Sequence, residues 1–164
     1  MQNKEKKIEL IRRAAEMLPL AYVPYSHFHV GAALLGSDGK IYTGCNIENA
    51  SYGATNCAER TALFKAISEG CQSFQAIAIV GGMDGEITDF TPPCGICRQV
   101  LEEFCDSDGF EVILARPGEV KTWLLKELLP LAFSGDNLET TDEKTGEVRA
   151  VTEKYKERKW EHFS

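Results

Sequence analysis

Two short runs gather the residues able to do chemistry. Cys57-Ala58-Glu59 and Pro93-Cys94-Gly95-Ile96-Cys97 supply three thiols and one carboxylate. Three thiolates can hold a zinc ion and leave its fourth tetrahedral position open, which marks a catalytic rather than a structural zinc. Water at such a position is acidified toward neutral pH. A carboxylate beside it can take that proton and deliver it to a substrate, general acid–base work worth roughly 10²–10⁴ in rate. Glu59 is the expected catalytic shuttle. Two residues from Cys57, it does not share that residue's helical face, so it can reach toward the open position instead of ligating. A closed site would need a fourth ligand, and none of Cys45, Cys71, Cys105, His27, His29 or His162 stands at a recognisable ligand spacing. Free cysteines at such places are usually small core residues.

The elements that position these groups follow from periodicity and breakers. Ile8, Ile11, Ala15 and Leu18 predict an amphipathic helix over 4–18. Phe28–Leu35 and Lys40–Cys45 read as a hairpin around Gly36-Ser37-Asp38-Gly39. Residues 46–56 read as irregular. Helices are expected over 57–70 and 94–105, strands over 74–80, 110–115 and 120–125, a loop over 81–93 and a helical turn over 126–130. Strands alternating with helices predict an α/β fold, a three-layer α/β/α sandwich around a central mixed sheet of about five strands. Cys57 and Cys94 then open two helices, where the helix dipole favours thiolates, and Pro93 fixes the chain entering the second. Three thiolates exceed the zinc charge by one. Arg60 is placed to donate to a ligand sulfur and restore electrophilicity, and the alternative is a surface arginine on the helix. Residues 1–133 form the expected domain. The charged stretch 134–164 reads as an extension, an arm to about residue 150 and then a short helix bearing Val151, Tyr155, Trp160 and Phe163.

Length and charge narrow the class. The 164 residues suit one domain with a real core. A net charge of -7 speaks against gripping a phosphate backbone, so no nucleic-acid partner is expected. No apolar run approaches a membrane span, and the Lys- and Glu-rich start carries no export signal, so a cytoplasmic, reducing location is expected. The six cysteines then read as ligands or reactive groups instead of disulfides.

Several motifs now stand in one order: Tyr25-Ser26-His27-Phe28 through Val30-Gly31-Ala32-Ala33-Leu34, Gly44-Cys45-Asn46-Ile47-Glu48-Asn49, Cys57-Ala58-Glu59-Arg60-Thr61-Ala62, Pro93-Cys94-Gly95-Ile96-Cys97-Arg98-Gln99 and Glu127-Leu128-Leu129-Pro130. From about residue 20 to 133 the chain resembles the homotetrameric cytidine deaminases of pyrimidine salvage, whose zinc signature is a His or Cys, then x-Glu, then Pro-Cys-x-x-Cys. The resemblance implies one zinc per chain on Cys57, Cys94 and Cys97, and hydrolytic deamination of cytidine and 2′-deoxycytidine to uridine and 2′-deoxyuridine. It implies Phe28 beneath the pyrimidine, Asn46 and Glu48 on the ribose, and a substrate contact at Ala58. Phe133 would reach into a neighbouring subunit's site within a homotetramer. Few basic residues lie near the motifs, with Arg60 and Arg98 turned to the metal or the helix surface, which favours a nucleoside over a nucleotide. The blasticidin-S-type deaminases share the zinc motif and are the alternative; Asn46-Ile47-Glu48-Asn49 favours the nucleoside enzyme. Ile96 departs from the family's usual alanine; its bulk bears on packing under the site, and it should remove no ligand.

Overall fold

A computed structural model describes residues 2–141 and 148–150, in two compact units, Met1–Pro130 and Leu131–Ser164. In the first, helix α1 spans Lys4–Ala15. The Asn3 side chain caps it, accepting from the Lys6 N–H at 2.8 Å. The helix stops short of the expected Leu18, because Pro19 enters a separate 3₁₀ turn, Leu18–Leu20. Strands β1 (Phe28–Gly36) and β2 (Ile41–Cys45) form the expected hairpin. Helix α2 (Ala58–Ser68) leads to β3 (Phe74–Met83), and helix α3 (Gly95–Phe104) leads to β4 (Glu111–Arg116). β5 (Glu119–Leu124) turns back and runs into a short helix, α4 (Leu125–Leu128).

The five strands lie in the order β2-β1-β3-β4-β5, with only the β3–β4 pair parallel, so the sheet is mixed as expected. Side-chain alternation divides the core into two layers. Ala32, Leu34, Ile77, Ile79, Val112 and Leu114 pack against α2 and α3, while Ala33, Leu35, Ala76, Ala78, Val80 and Ile113 pack against Leu10 and Ala14 of α1. Helices therefore cover both faces.

β3 runs three residues beyond the expected Val80. The Gly81-Gly82 pair looks like a breaker, yet the start of β1 requires a partner there: Phe28, His29 and Val30 pair with Met83, Gly82 and Gly81. Glycine is needed at 82 because a Cβ would lie 1.7 Å from the Glu86 carbonyl oxygen.

The second unit is not a plain arm. A 3₁₀ turn at Gly135–Asn137 precedes an antiparallel pair, β6 (Glu139–Thr141) and β7 (Val148–Ala150). The terminal helix expected around Val151 to Phe163 lies outside the described residues. No helix among those described is long and apolar enough to cross a membrane.

One buried charge ties α1 to the sheet. Glu111 of β4 is 1% exposed. Its carboxylate accepts from the Gln2 backbone N–H at 2.7 Å and pairs with Lys7 Nζ at 3.2 Å. Lys7→Ala should therefore lower unfolding free energy by about 3 kcal/mol, because it strands a buried carboxylate. Chemical denaturation would measure this, and a loss near zero would show the pair to be dispensable.

Candidate active site

Strand topology brings the chemistry together. β2 and β3 both run antiparallel to β1, so they point the same way, and their C-terminal ends lie at one edge of the sheet. Helices α2 and α3 follow those ends and pack on the same face, so both N-termini return to that edge. The first residue of β1, Phe28, lies there too, half-buried and opposite Met83.

Cys57 is the N-cap residue of α2 and Cys94 that of α3, both extended, and neither helix has a side-chain cap. Their first-turn N–H groups are left facing outward from the helix ends, with the positive end of each dipole. Cys97 lies buried in the first turn of α3. The three sulfurs fall within 4.8 Å of one another, and those of Cys57 and Cys94 are 3.8 Å apart. That separation is too long for a disulfide. It matches the edge of a zinc–thiolate tetrahedron, about 3.8 Å for Zn–S bonds of about 2.3 Å. All six cysteines are free, and Cys45 and Cys105 are core residues.

The donor set suits a metal electrostatically. The Cys57 thiol is lowered to about 5, first by a hydrogen bond from the Cys97 thiol and then by Arg60. Cys97 is held far above the ordinary thiol range, first by its bond to Cys57 and then by burial. Arg60 donates through Nη2 to Cys57 Sγ at 3.6 Å and to the Thr55 carbonyl at 3.2 Å. Its buried Nε has no hydrogen-bond partner among the described residues. The half-buried guanidinium is thus turned toward Cys57. These residues fit a zinc ion.

Glu59, in the first turn of α2, is 4% exposed. Its carboxyl is raised to about 7, mainly by burial and further by the charge at Cys57. Gly44 of β2 allows this turn to sit so close. A Cβ there would lie 2.4 Å from the Ala58 carbonyl oxygen and 2.5 Å from the Ala62 nitrogen. Ala58 itself is fully buried between ligand and carboxylate.

Asn46 and Glu48 stand just beyond β2, and both are engaged with backbone. The Asn46 amide accepts from the Val30 N–H and donates to the Phe28 carbonyl, each at 2.8 Å. It continues the ladder where β2 pairing ends at Gly31. Glu48 accepts from the Tyr25 and Ser26 N–H groups at 3.0 and 3.2 Å. Its carboxyl is held below the usual range, first by the Ser26 hydroxyl. Ser26 was not singled out by sequence reasoning, although the Tyr25-Ser26-His27-Phe28 run contained it. Gly44 is a further position whose structural work carried no residue-type signal. Ile96 is 62% exposed, so in this chain its bulk points away from the core. Phe133 falls in the second unit. A cavity of about 460 Å³ lined by Lys6, Arg13, Lys40 and Lys65 contains none of these residues.

The fold and the thiol cluster together define a zinc-binding α/β/α domain. Residues 4–110 match the family described as the cytidine and deoxycytidylate deaminase zinc-binding region. The chain is 49% identical over 134 residues to a cytidine deaminase of Sporosarcina psychrophila, covering 82% of this chain and 93% of that protein. It superposes on the crystal structure of cytidine deaminase from Burkholderia pseudomallei with a TM-score of 0.71 at 46% identity, covering 80% of this chain and 100% of that one. A blasticidin-S deaminase of Bacillus cereus is 30% identical over 134 residues, 79% of this chain and 94% of that one. The chain belongs to the cytidine and deoxycytidylate deaminase family.

Gly44→Ala should push the first turn of α2 away from the sheet. The expected cost is about 1–3 kcal/mol of stability, with a lower zinc content per purified chain. Thermal melts and metal analysis would test this; unchanged zinc content would show that the close approach does not position Cys57.

Proposed function

We propose that this chain deaminates cytidine and 2′-deoxycytidine hydrolytically, giving uridine or 2′-deoxyuridine and ammonia. One observation carries the reading: a buried carboxylate, Glu59, adjoins Cys97 in a cluster of three convergent sulfurs, one donor short of a closed tetrahedral set. The 49% identity to a cytidine deaminase, against 30% to a blasticidin-S deaminase, favours the nucleoside as substrate.

Cys57, Cys94 and Cys97 would hold one zinc ion per chain. Zinc, when bound, supplies the Lewis acidity that makes water a nucleophile near neutral pH. Glu59 takes one proton from the attacking water as its oxygen bonds to C4, and gives that proton to ring N3. The same carboxylate then carries the remaining hydroxyl proton to the exocyclic amine. The C4–N bond breaks, ammonia leaves, and the C4 oxygen becomes the carbonyl of the product. The uncapped N–H groups at the start of α3 suit the negative charge that develops at that oxygen. Arg60 draws charge from Cys57.

Phe28 supports the pyrimidine ring, Ala58 lies along it, and Asn46 and Glu48 take the ribose hydroxyls with the hydrogen-bonding capacity their backbone partners leave free. Phe133 completes the site of a neighbouring subunit in a homotetramer, for which exposed Tyr52, Met83 and Ile96 offer apolar surface. The setting is cytoplasmic pyrimidine salvage. Gel filtration at four times the 18.2 kDa chain mass supports the assembly, and elution as a single chain contradicts it.

The decisive assay follows ultraviolet absorbance of cytidine with wild type and Glu59→Ala, alongside zinc content. Glu59→Ala should keep its zinc and lose about 10²–10⁴ in turnover. Wild type that binds zinc, leaves both nucleosides intact and deaminates blasticidin S would replace this reading with the alternative substrate.

A further inference from the structure

Cys94 is the least anchored of the three thiol residues. It is exposed, whereas Cys97 is buried within α3 and Cys57 receives Arg60. It follows Pro92-Pro93, two residues with no N–H to donate. Among the described residues, the connection from Ile87 to Pro93 makes no backbone–backbone hydrogen bond. What holds the peptide unit bearing Cys94 is therefore a definite question.

One residue takes both carbonyls that flank it. The Arg98 backbone N–H donates to the Cys94 carbonyl at 3.0 Å, and Arg98 Nε donates to the Pro93 carbonyl at 2.8 Å. The same guanidinium reaches the other way, with Nη1 donating to the Leu128 carbonyl at 2.7 Å. That carbonyl is the last of α4, one of the terminal acceptors a helix cannot satisfy itself. A rigid planar fork thus ties the approach to α3 to a second, separately anchored element, since α4 begins with Leu125 donating to Phe110 at 3.1 Å.

We infer that Arg98 is a positioning residue for zinc: by clamping the Pro93 carbonyl against α4 it fixes the Cys94 sulfur at tetrahedral distance from Cys57. This rests on the zinc site proposed above. Arg98 touches neither sulfur nor substrate in this arrangement, and a nearby cation spent on two carbonyls is not available to a substrate phosphate. Lysine at 98 keeps the charge but lacks the fork, so it cannot make both directed bonds.

The test compares zinc loss from wild-type, Arg98→Lys and Lys7→Ala holoenzymes to a chromogenic chelator, with melting temperatures recorded for each. Lys7→Ala is the control, because it destabilises the fold through Glu111, remote in sequence from the three thiols. Arg98→Lys should release zinc about 10- to 100-fold faster, the usual cost of losing support behind a ligand. The sulfur-to-metal charge-transfer bands of its cobalt form should shift, while Lys7→Ala keeps wild-type release and spectrum. Arg98→Gln, which retains one donor, serves if the lysine variant does not fold. Wild-type release and spectrum in a folded Arg98 variant overturn the inference and leave the zinc site standing. Equal acceleration in Lys7→Ala also overturns it, because the effect is then general destabilisation. A wild-type chain that binds no zinc sinks both this inference and the proposed site.

Discussion

Three sulfurs within 4.8 Å of one another form an arrangement that the protein alone cannot hold as anions. Each pair of thiolates at about 4 Å repels by roughly 4 kcal/mol at an effective dielectric constant of about 20. Two helix N-termini return at most about 2 kcal/mol each. The remaining repulsion has two remedies, protons or a divalent cation. Without the cation the cluster divides its protons unevenly, Cys57 giving one up readily and Cys97 keeping its own. With it, three negative sulfurs become favourable. The topology that returns two uncapped helices to one sheet edge therefore makes a place that suits a divalent cation.

Among the described residues two carboxylates are buried, and their surroundings differ. Glu111 is answered by the Gln2 N–H and the Lys7 ammonium, which makes it a fastener between α1 and β4. Glu59 sits beside Arg60, but that guanidinium is directed at Thr55 and Cys57, so no cation neutralises the carboxylate directly. Burial then lifts its carboxyl toward neutrality. Glu111 is thus satisfied on both sides, whereas Glu59 is left without an ion-pair partner, which is what the proposed proton-transfer role requires of it.

Most of the architecture was legible in the chain because its strands and helices carry clean periodicity. Ala32 and Leu34 alternate with Ala33 and Leu35, and the two sets face different helices. The legible part of the site was likewise the part encoded in residue type: three thiols and a carboxylate at telling spacings. What escaped was set by partners distant in sequence. Gly81-Gly82 reads as a break until β1 is laid beside it. Ile96 reads as a bulky intruder until α3 is rotated so that position faces solvent. Pairing within the charged stretch after Ser134 depends on a ladder between Glu139–Thr141 and Val148–Ala150 that carries no apolar alternation to announce it. Gly44 acts through close approach, which leaves no mark on residue order.

The same main-chain economy shapes the proposed substrate wall. Asn46 spends one donor and one acceptor on Phe28 and Val30, and in doing so fixes the backbone under the proposed ring platform. Glu48 spends an oxygen on two N–H groups of the turn that leads into the same strand. A ribose bound as proposed would use the second amide hydrogen of Asn46 and the capacity that Tyr25 and Ser26 leave on Glu48. The backbone bonds already order these side chains, which lowers the entropy cost of any ligand they would take. On the proposed reading, substituting either one moves the start of β1 as well as removing a substrate contact, so for these two residues binding and positioning would be a single physical role.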